Sequence, residues 1–237
     1  MICNSCNNDK PFTDFTLKSK PEQIFYKKCK QCRSVETQLW YEKNKTTILK
    51  KIADKTKILK NYVLFVLNNS VCADCGCNDN RVLEFDHLRD KKNDINVLIN
   101  RCVSLDTLKS EIEKCEIVCG NCHRIRSDER VGGTYRSMTT EELIADKLNK
   151  SPSKRNKLKK QFKILKFFQQ GCIDCGTGDL RVLEFDHVKG EKIANVSKLL
   201  SNNAPWLKIE EEINKCEVVC RNCHTIRERH KDTNYRT

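Results

Sequence analysis

Apolar residues along this chain recur at two different spacings. Over residues 46–68, Ile48, Ile52, Leu59, Tyr62, Val63 and Val66 fall close to helical spacing. Lys50, Lys51, Lys55, Lys57 and Lys60 interleave them, which predicts a basic helix. From Lys154 to Phe168 a second basic helix is expected, with seven basic residues and no acid. The segment RVLEFDH alternates and is β-branched enough for a strand ending at its Asp-His, and it occurs twice, at 81–87 and 181–187. SLDTLKSEIEK (104–114) and LKIEEEINK (207–215) read as helices, and CEIVC and CEVVC as short second strands. A C-x-x-C-H then opens a final helix in each copy. Thr139 and Glu142 form a capping-box pattern opening a helix to about Asn149. Gly132-Gly133 and Ser151-Pro152 are breaks on either side of it.

The two strand-bearing segments belong to a larger repeat. Cys72 to Cys172, Asp86 to Asp186 and His87 to His187 are each 100 residues apart, whereas Cys119 to Cys220 is 101. One residue is therefore inserted in the second copy. A long period with only two copies predicts a duplicated domain and not a solenoid.

Cysteine spacing gives the repeat its chemistry. Twelve of the 16 cysteines fall in C-x-x-C pairs. They form three sets: Cys3, Cys6, Cys29 and Cys32; Cys72, Cys75, Cys119 and Cys122; Cys172, Cys175, Cys220 and Cys223. Two pairs per set fit a tetrahedral four-thiolate Zn²⁺ site, which is full and therefore structural. The opening MICNSCNN lacks the apolar run of a signal peptide, so the expected setting is a reducing intracellular compartment, cytoplasm or nucleus, and not secretion. No apolar run approaches a membrane span.

Composition narrows the class further. With 38% hydrophobic and 32% charged residues, one large core is not expected, and bound metal is a ready substitute for it. A net charge of +13 points to a polyanionic partner, nucleic acid first.

The Asp-His pairs supply a reactive element beside the thiolates. Neighbours at a strand end point in different directions, so one can hold a metal while the other faces substrate. Asp86 and His123 could provide the few protein ligands that a hard cation such as Mg²⁺ accepts. His87 could then take a proton from an attacking water. Asp186, His224 and His187 offer the same set in the second copy. The bland alternative makes His123 and His224 spare zinc ligands, which four cysteines already render unnecessary.

At these residues the chain resembles a known family. FDH followed by KCEIVCGNCHRIR (114–126) or KCEVVCRNCHTIR (215–227) is similar to the HNH endonucleases of the His-Me finger, or ββα-metal, superfamily. Two C-x-x-C pairs bracketing an Asp-His are also similar to phage recombination endonuclease VII. The resemblance implies an α+β fold with an N-terminal zinc ribbon at 1–44 and a basic linker helix at 45–68. It places HNH domain one at 69–130, a linker with helices at 131–168, and HNH domain two at 169–237. It assigns His87 and His187 as general bases, and Asp86, His123, Asp186 and His224 as ligands of catalytic Mg²⁺. The middle Asn of the family pattern is missing: Lys114 and Lys215 stand there.

The function expected from these readings is metal-dependent hydrolysis of DNA phosphodiesters, on double-stranded or branched DNA. Arg126 and Arg227, three residues past the helix histidine, are expected to hold the scissile strand, with Lys92 and Lys192 in matching register. Lys27, Lys28, Lys30 and Arg33 of the ribbon are expected to dock DNA, while Arg81 and Arg181 reach either phosphate or solvent. Cys115 and Cys216 are expected as buried small apolar side chains. The rival class is a non-catalytic zinc protein that binds nucleic acid.

Overall fold

A computed structural model describes residues 1–19, 22–139, 142 and 151–231. The chain divides into two compact units, Met1–Lys60 and Asn61–Thr237.

In the first unit, β1 (Phe15–Ser19) pairs antiparallel with β2 (Ile24–Cys29), and helix α1 (Lys30–Asn68) follows at once. Cys3, Phe15 and Cys29 form a small buried centre, with Phe25 and Cys32 packed against it. The helix expected over 46–68 thus begins at Lys30. Residues 30–45 hide it from a periodicity argument because Val35, Leu39, Trp40 and Tyr41 are exposed. No Gly or Pro interrupts that stretch, so nothing stops a helix from propagating through it. The boundary between the two units falls inside α1.

The second unit contains the repeat, built twice on one plan. In the first copy, β3 (Leu83–His87) pairs with β4 (Cys115–Cys119), with α2 (Ile95–Asn100) and α3 (Leu105–Ile112) between them and α4 (Gly120–Arg130) after them. Next comes α5 (Pro152–Phe168), with proline in its first turn, where the missing N–H costs nothing. The second copy follows as β5 (Leu183–His187), α6 (Val196–Ser201), α7 (Trp206–Ile213), β6 (Cys216–Cys220) and α8 (Arg221–Lys231). Register is the same in both: Asp86 faces Glu116 and His87 faces Cys115, as Asp186 faces Glu217 and His187 faces Cys216. The fold is therefore α+β, with every expected strand and helix of the repeat in place.

The capping box also forms, with the Thr139 N–H donating to Glu142 Oε2 at 2.7 Å. The helix expected to follow it to Asn149 lies outside the described residues.

Each copy has its own core. Leu67, Val82, Leu83 and Val118 pack in the first; Phe168, Val182, Leu183, Ile209 and Val219 pack in the second. The cores interlock: Ile125 of the first copy packs on the second core, and Ile226 of the second packs on the first. These isoleucines are equivalent residues of α4 and α8, helices that lie against each other. Asn121 and Asn222 complete the exchange. Each backbone N–H donates to the other's side-chain oxygen at 3.0 Å. The two copies form an isologous pair within one chain.

Candidate active site

Three groups of four cysteines come together, the same three sets that spacing predicts, with one sulfur from each within 4.8 Å of the others. Cys75 and Cys119 Sγ atoms lie 3.7 Å apart, as do those of Cys175 and Cys220. Four thiolates at about 2.3 Å around a tetrahedral zinc ion stand roughly 3.8 Å from one another, so the clusters fit structural zinc. The turn that folds each pair needs a left-handed residue. Gly76 and Gly176 supply it at φ 70° and 74°, and Asn7 at 55° does so in the first unit.

Charge within each cluster is uneven. Burial raises the Cys72 thiol, but backbone N–H groups of Cys119, Cys75 and Asp74 outweigh it and bring it to about 7. Cys75, raised by burial and by its neighbours, stands at about 11. One thiolate forms easily and the next resists, a repulsion that a divalent cation removes.

Strand alternation sorts the other groups. Glu84 and Asp86 share one face of β3, toward α4. There the His123 Nδ1 lies 2.8 Å from Glu84 Oε2, while its Nε2 lies 3.5 Å from Asp86 Oδ1. In the second copy, His224 Nδ1 lies 2.5 Å from Glu184 Oε1 and its Nε2 lies 3.5 Å from Asp186 Oδ1. The carboxylate–His contact selects the tautomer with its lone pair on Nε2, toward the aspartate. An oxygen and a nitrogen so placed are close enough to share one cation bound at about 2.1 Å by each. Glu184 is held at about 2: burial pulls it up, but the hydrogen bond from His224 and the Arg124 charge dominate. The Glu184 contact in turn raises His224 above its ordinary value.

His87 and His187 face the other way, toward a buried glutamate. His187 Nε2 lies 2.9 Å from Glu212 Oε1, and His87 Nε2 lies 3.3 Å from Glu111 Oε1. Each glutamate also ties down the loop after the strand. Glu111 Oε1 accepts from the Lys92 N–H at 2.7 Å, and Glu212 Oε1 from the Ile193 N–H at 3.1 Å. Lys114 and Lys215 pair with these same glutamates and donate onward to the carbonyls of Asp90 and Glu191. A Lys–Glu pair thus closes the loop in each copy.

The loop bonds correct the expected register of Lys92 and Lys192. Lys92 corresponds in space to Ile193, so Lys192 corresponds to Lys91. The inserted residue lies between His187 and Lys192, before the lysines and not after them. Both Lys92 and Lys192 are exposed.

The arginines expected to hold a scissile strand are engaged inside the protein. Arg126 reaches Asp74 in the cysteine turn (2.5 Å), Asp86 (3.0 Å) and Glu116 (2.8 Å). Arg227 does the same with Asp174, Asp186 and Glu217. Their geometry ties Asp86 and Asp186 to the cysteine turn of each copy. Arg81 and Arg181 likewise hold Asp79 and Asp179. In the first unit Lys28 pairs with Glu36, Lys30 donates to the Thr13 carbonyl, and Arg33 lies over the Tyr26 ring. Cys115 and Cys216 are only half-buried, and their thiols donate to the Glu111 and Glu212 carbonyls.

A cavity of about 1310 Å³ is lined by Asp186, His187 and His224 together, with Arg124, Arg181 and Lys192 at its walls. The structure thus brings the second copy's expected set to one surface. Sequence reasoning missed Glu84, Glu184, Glu111 and Glu212, although each recurs in both copies at 100 or 101 residues. The recurrence was a usable signal; an acidic residue in a charged chain simply did not stand out. Among the described residues no helix is long and apolar enough to cross a membrane. Compared with protein-family models, curated proteins and solved structures, the chain matches none.

Proposed function

We propose that the chain is a metal-dependent DNA endonuclease with two HNH-type sites, one per repeat. The observation that carries the reading is the Asp Oδ1–His Nε2 pair at 3.5 Å, present in both copies and oriented each time by a glutamate. Simple binding of nucleic acid needs no such pair. In the second copy, Asp186 and His224 would hold the cation. When bound, Mg²⁺ would stabilise charge on the phosphate and on the leaving oxygen. His187, with Nε2 anchored on Glu212, keeps Nδ1 for the proton of an attacking water. Glu212 stays ionised because Lys215, the Ile193 N–H and His187 outweigh the burial that opposes it. Exposed Lys92 and Lys192, with the overall charge of +13, supply attraction for phosphate.

One observation favours the rival, a zinc-stapled protein that binds nucleic acid without cutting it. Asp86 is already neutralised, since Arg130 donates to both its oxygens at 2.7 and 2.6 Å. A supercoiled-plasmid assay with Mg²⁺ or with EDTA separates the two. Nicked or linear product from the wild type, absent from His87→Ala/His187→Ala and absent in EDTA, supports the nuclease. Retention of DNA without cleavage across several metals and branched substrates supports the rival.

A further inference from the structure

The carboxylates that orient the helix histidines have a second partner, and it comes from the other repeat. Glu184 uses Oε1 for His224 and Oε2 for Arg124 Nη1 of the first copy, at 2.5 Å each. Glu84 uses Oε2 for His123, at 2.8 Å, and Oε1 for Arg221 Nη2 of the second copy, at 3.3 Å; Arg221 Nη1 also lies 4.0 Å from Glu184 Oε1 of its own copy, the longer of its two contacts. We propose that Arg124 and Arg221 are positioning residues acting across the repeat interface, each steadying the cation-facing histidine of the opposite copy.

The two arginines do not occupy equivalent positions. Arg124 aligns with Thr225, and Arg221 aligns with Gly120. The same bridge is thus built twice from different places, which duplication alone would not produce. Gly120 matters to one of them. A Cβ there would lie 2.9 Å from Arg221 Cγ and 3.2 Å from Asn222 Oδ1, so a bare backbone leaves the lane in which Arg221 crosses to Glu84.

Stability is a weak explanation for these bridges. Arg124 and Arg221 side chains are 36% and 41% exposed, and ion pairs that open to water add little to stability. Ile125, Ile226 and the Asn121–Asn222 pair already join the copies. What the arginines add is local: a carboxylate clamped on one oxygen cannot swing away from the imidazole on the other. Partners one step behind a metal ligand alter affinity by about 10- to 100-fold, so a residue a step further back should alter it by about three- to tenfold.

The inference rests on the nuclease reading only where activity is measured. The primary test uses the full zinc-loaded chain with ¹⁵N-labelled imidazoles and Mn²⁺ as the probe. Arg124→Ala should raise about three- to tenfold the Mn²⁺ concentration that broadens His224 and leave His123 unchanged. Arg221→Ala should shift His123 more than His224, because its nearer contact is Glu84 and its farther one Glu184. An effect confined to the variant's own repeat, spread equally over both, or absent would overturn the proposal. Should either alanine variant lose zinc, Arg124→Lys and Arg221→Lys carry the test. Lysine keeps the charge without the fork, so a crossed shift of about twofold is expected and none would refute it. A parallel assay in His87→Ala, where only the second site works, should show Arg124→Ala raising the Mg²⁺ requirement without lowering the rate at saturating Mg²⁺. Crossed Mn²⁺ shifts with no cleavage by any protein would sink the nuclease reading and leave the positioning role standing. Cleavage with uncrossed shifts would do the opposite.

Discussion

In the first repeat Asp86 accepts from both Arg126 and Arg130, with each carboxylate oxygen taken; in the second, Asp186 accepts from Arg227 through Oδ2 while Oδ1 faces His224. The backbones around them are the same. Leu88 and Val188 donate to the Lys114 and Lys215 carbonyls, and Gly120 and Arg221 N–H groups donate to the Val82 and Val182 carbonyls. The extra contact comes from Arg130, seven residues past His123 on α4. A planar guanidinium can occupy both oxygens of a carboxylate at once. One such cation on a repeated backbone is enough to change what the aspartate has left to offer a metal.

The largest effect should come from breaking the comparison outright. Cys119→Ser removes a zinc ligand from the first copy, and a structural zinc site carries about 10 kcal/mol or more of folding free energy. Because Ile125 and Ile226 exchange cores, the second copy should lose order with the first. Zinc content should fall below two ions per chain, and the His224 imidazole signal should lose its native shift. A native His224 signal in that variant would show that the copies fold independently.

Next in size are the strand-end histidines. Loss of a general base costs about 10²- to 10⁴-fold in rate. His187→Ala should remove most of the Mg²⁺-dependent nicking, and His87→Ala a smaller share, since Asp86 is the aspartate held twice. Equal losses from the two variants, measured on one plasmid substrate, would mean that the arginine grip on Asp86 has no functional weight.

A single substitution sharpens the point. Arg130→Ala should strengthen Mn²⁺ binding beside His123 by roughly fivefold, about 1 kcal/mol for a released charge-assisted contact. If it leaves the Mn²⁺ titration unmoved, Arg130 does not set the difference.

The smallest effect concerns pH. The Glu184 contact raises His224 above its ordinary value, against the opposing pull of burial. The stability this contributes is complete below the unfolded value of about 6.5 and is lost as pH rises through the folded value. A metal that needs neutral imidazole should therefore bind the second copy better as pH climbs through that range. Imidazole shifts followed without Mg²⁺ should place the His224 midpoint above 6.5, and Glu184→Gln should bring it down. A midpoint unchanged by that substitution would remove Glu184 as the cause.

The readable parts of this protein were the ones written locally and twice. RVLEFDH, CEIVC and CEVVC carry their own alternation, and strands formed at Leu83–His87, Leu183–His187, Cys115–Cys119 and Cys216–Cys220. SLDTLKSEIEK carries helical spacing, and α3 formed within it, its start capped by Ser104 accepting the Thr107 N–H. Twelve cysteines in pairs named the three clusters, because thiolate spacing in sequence is enough to limit which four can meet. Asp86 with His123, and Asp186 with His224, are brought together by the same repeated elements.

What only the tertiary structure decided was the set of partners. Helix spacing places Arg126 on the face of His123, but that it reaches Asp74, Asp86 and Glu116 depends on where the cysteine turn and β4 lie. A bond between Arg124 and Glu184, 60 residues apart, has no local signature. Nor does the exchange of Asn121 with Asn222. Even the lysine register turned on a single insertion, whose place was settled by which backbone N–H meets Glu212. Local pattern sets elements and ligand types because it acts through backbone periodicity. Ion pairs over long separations follow from packing, and packing is where one chain's two copies became different.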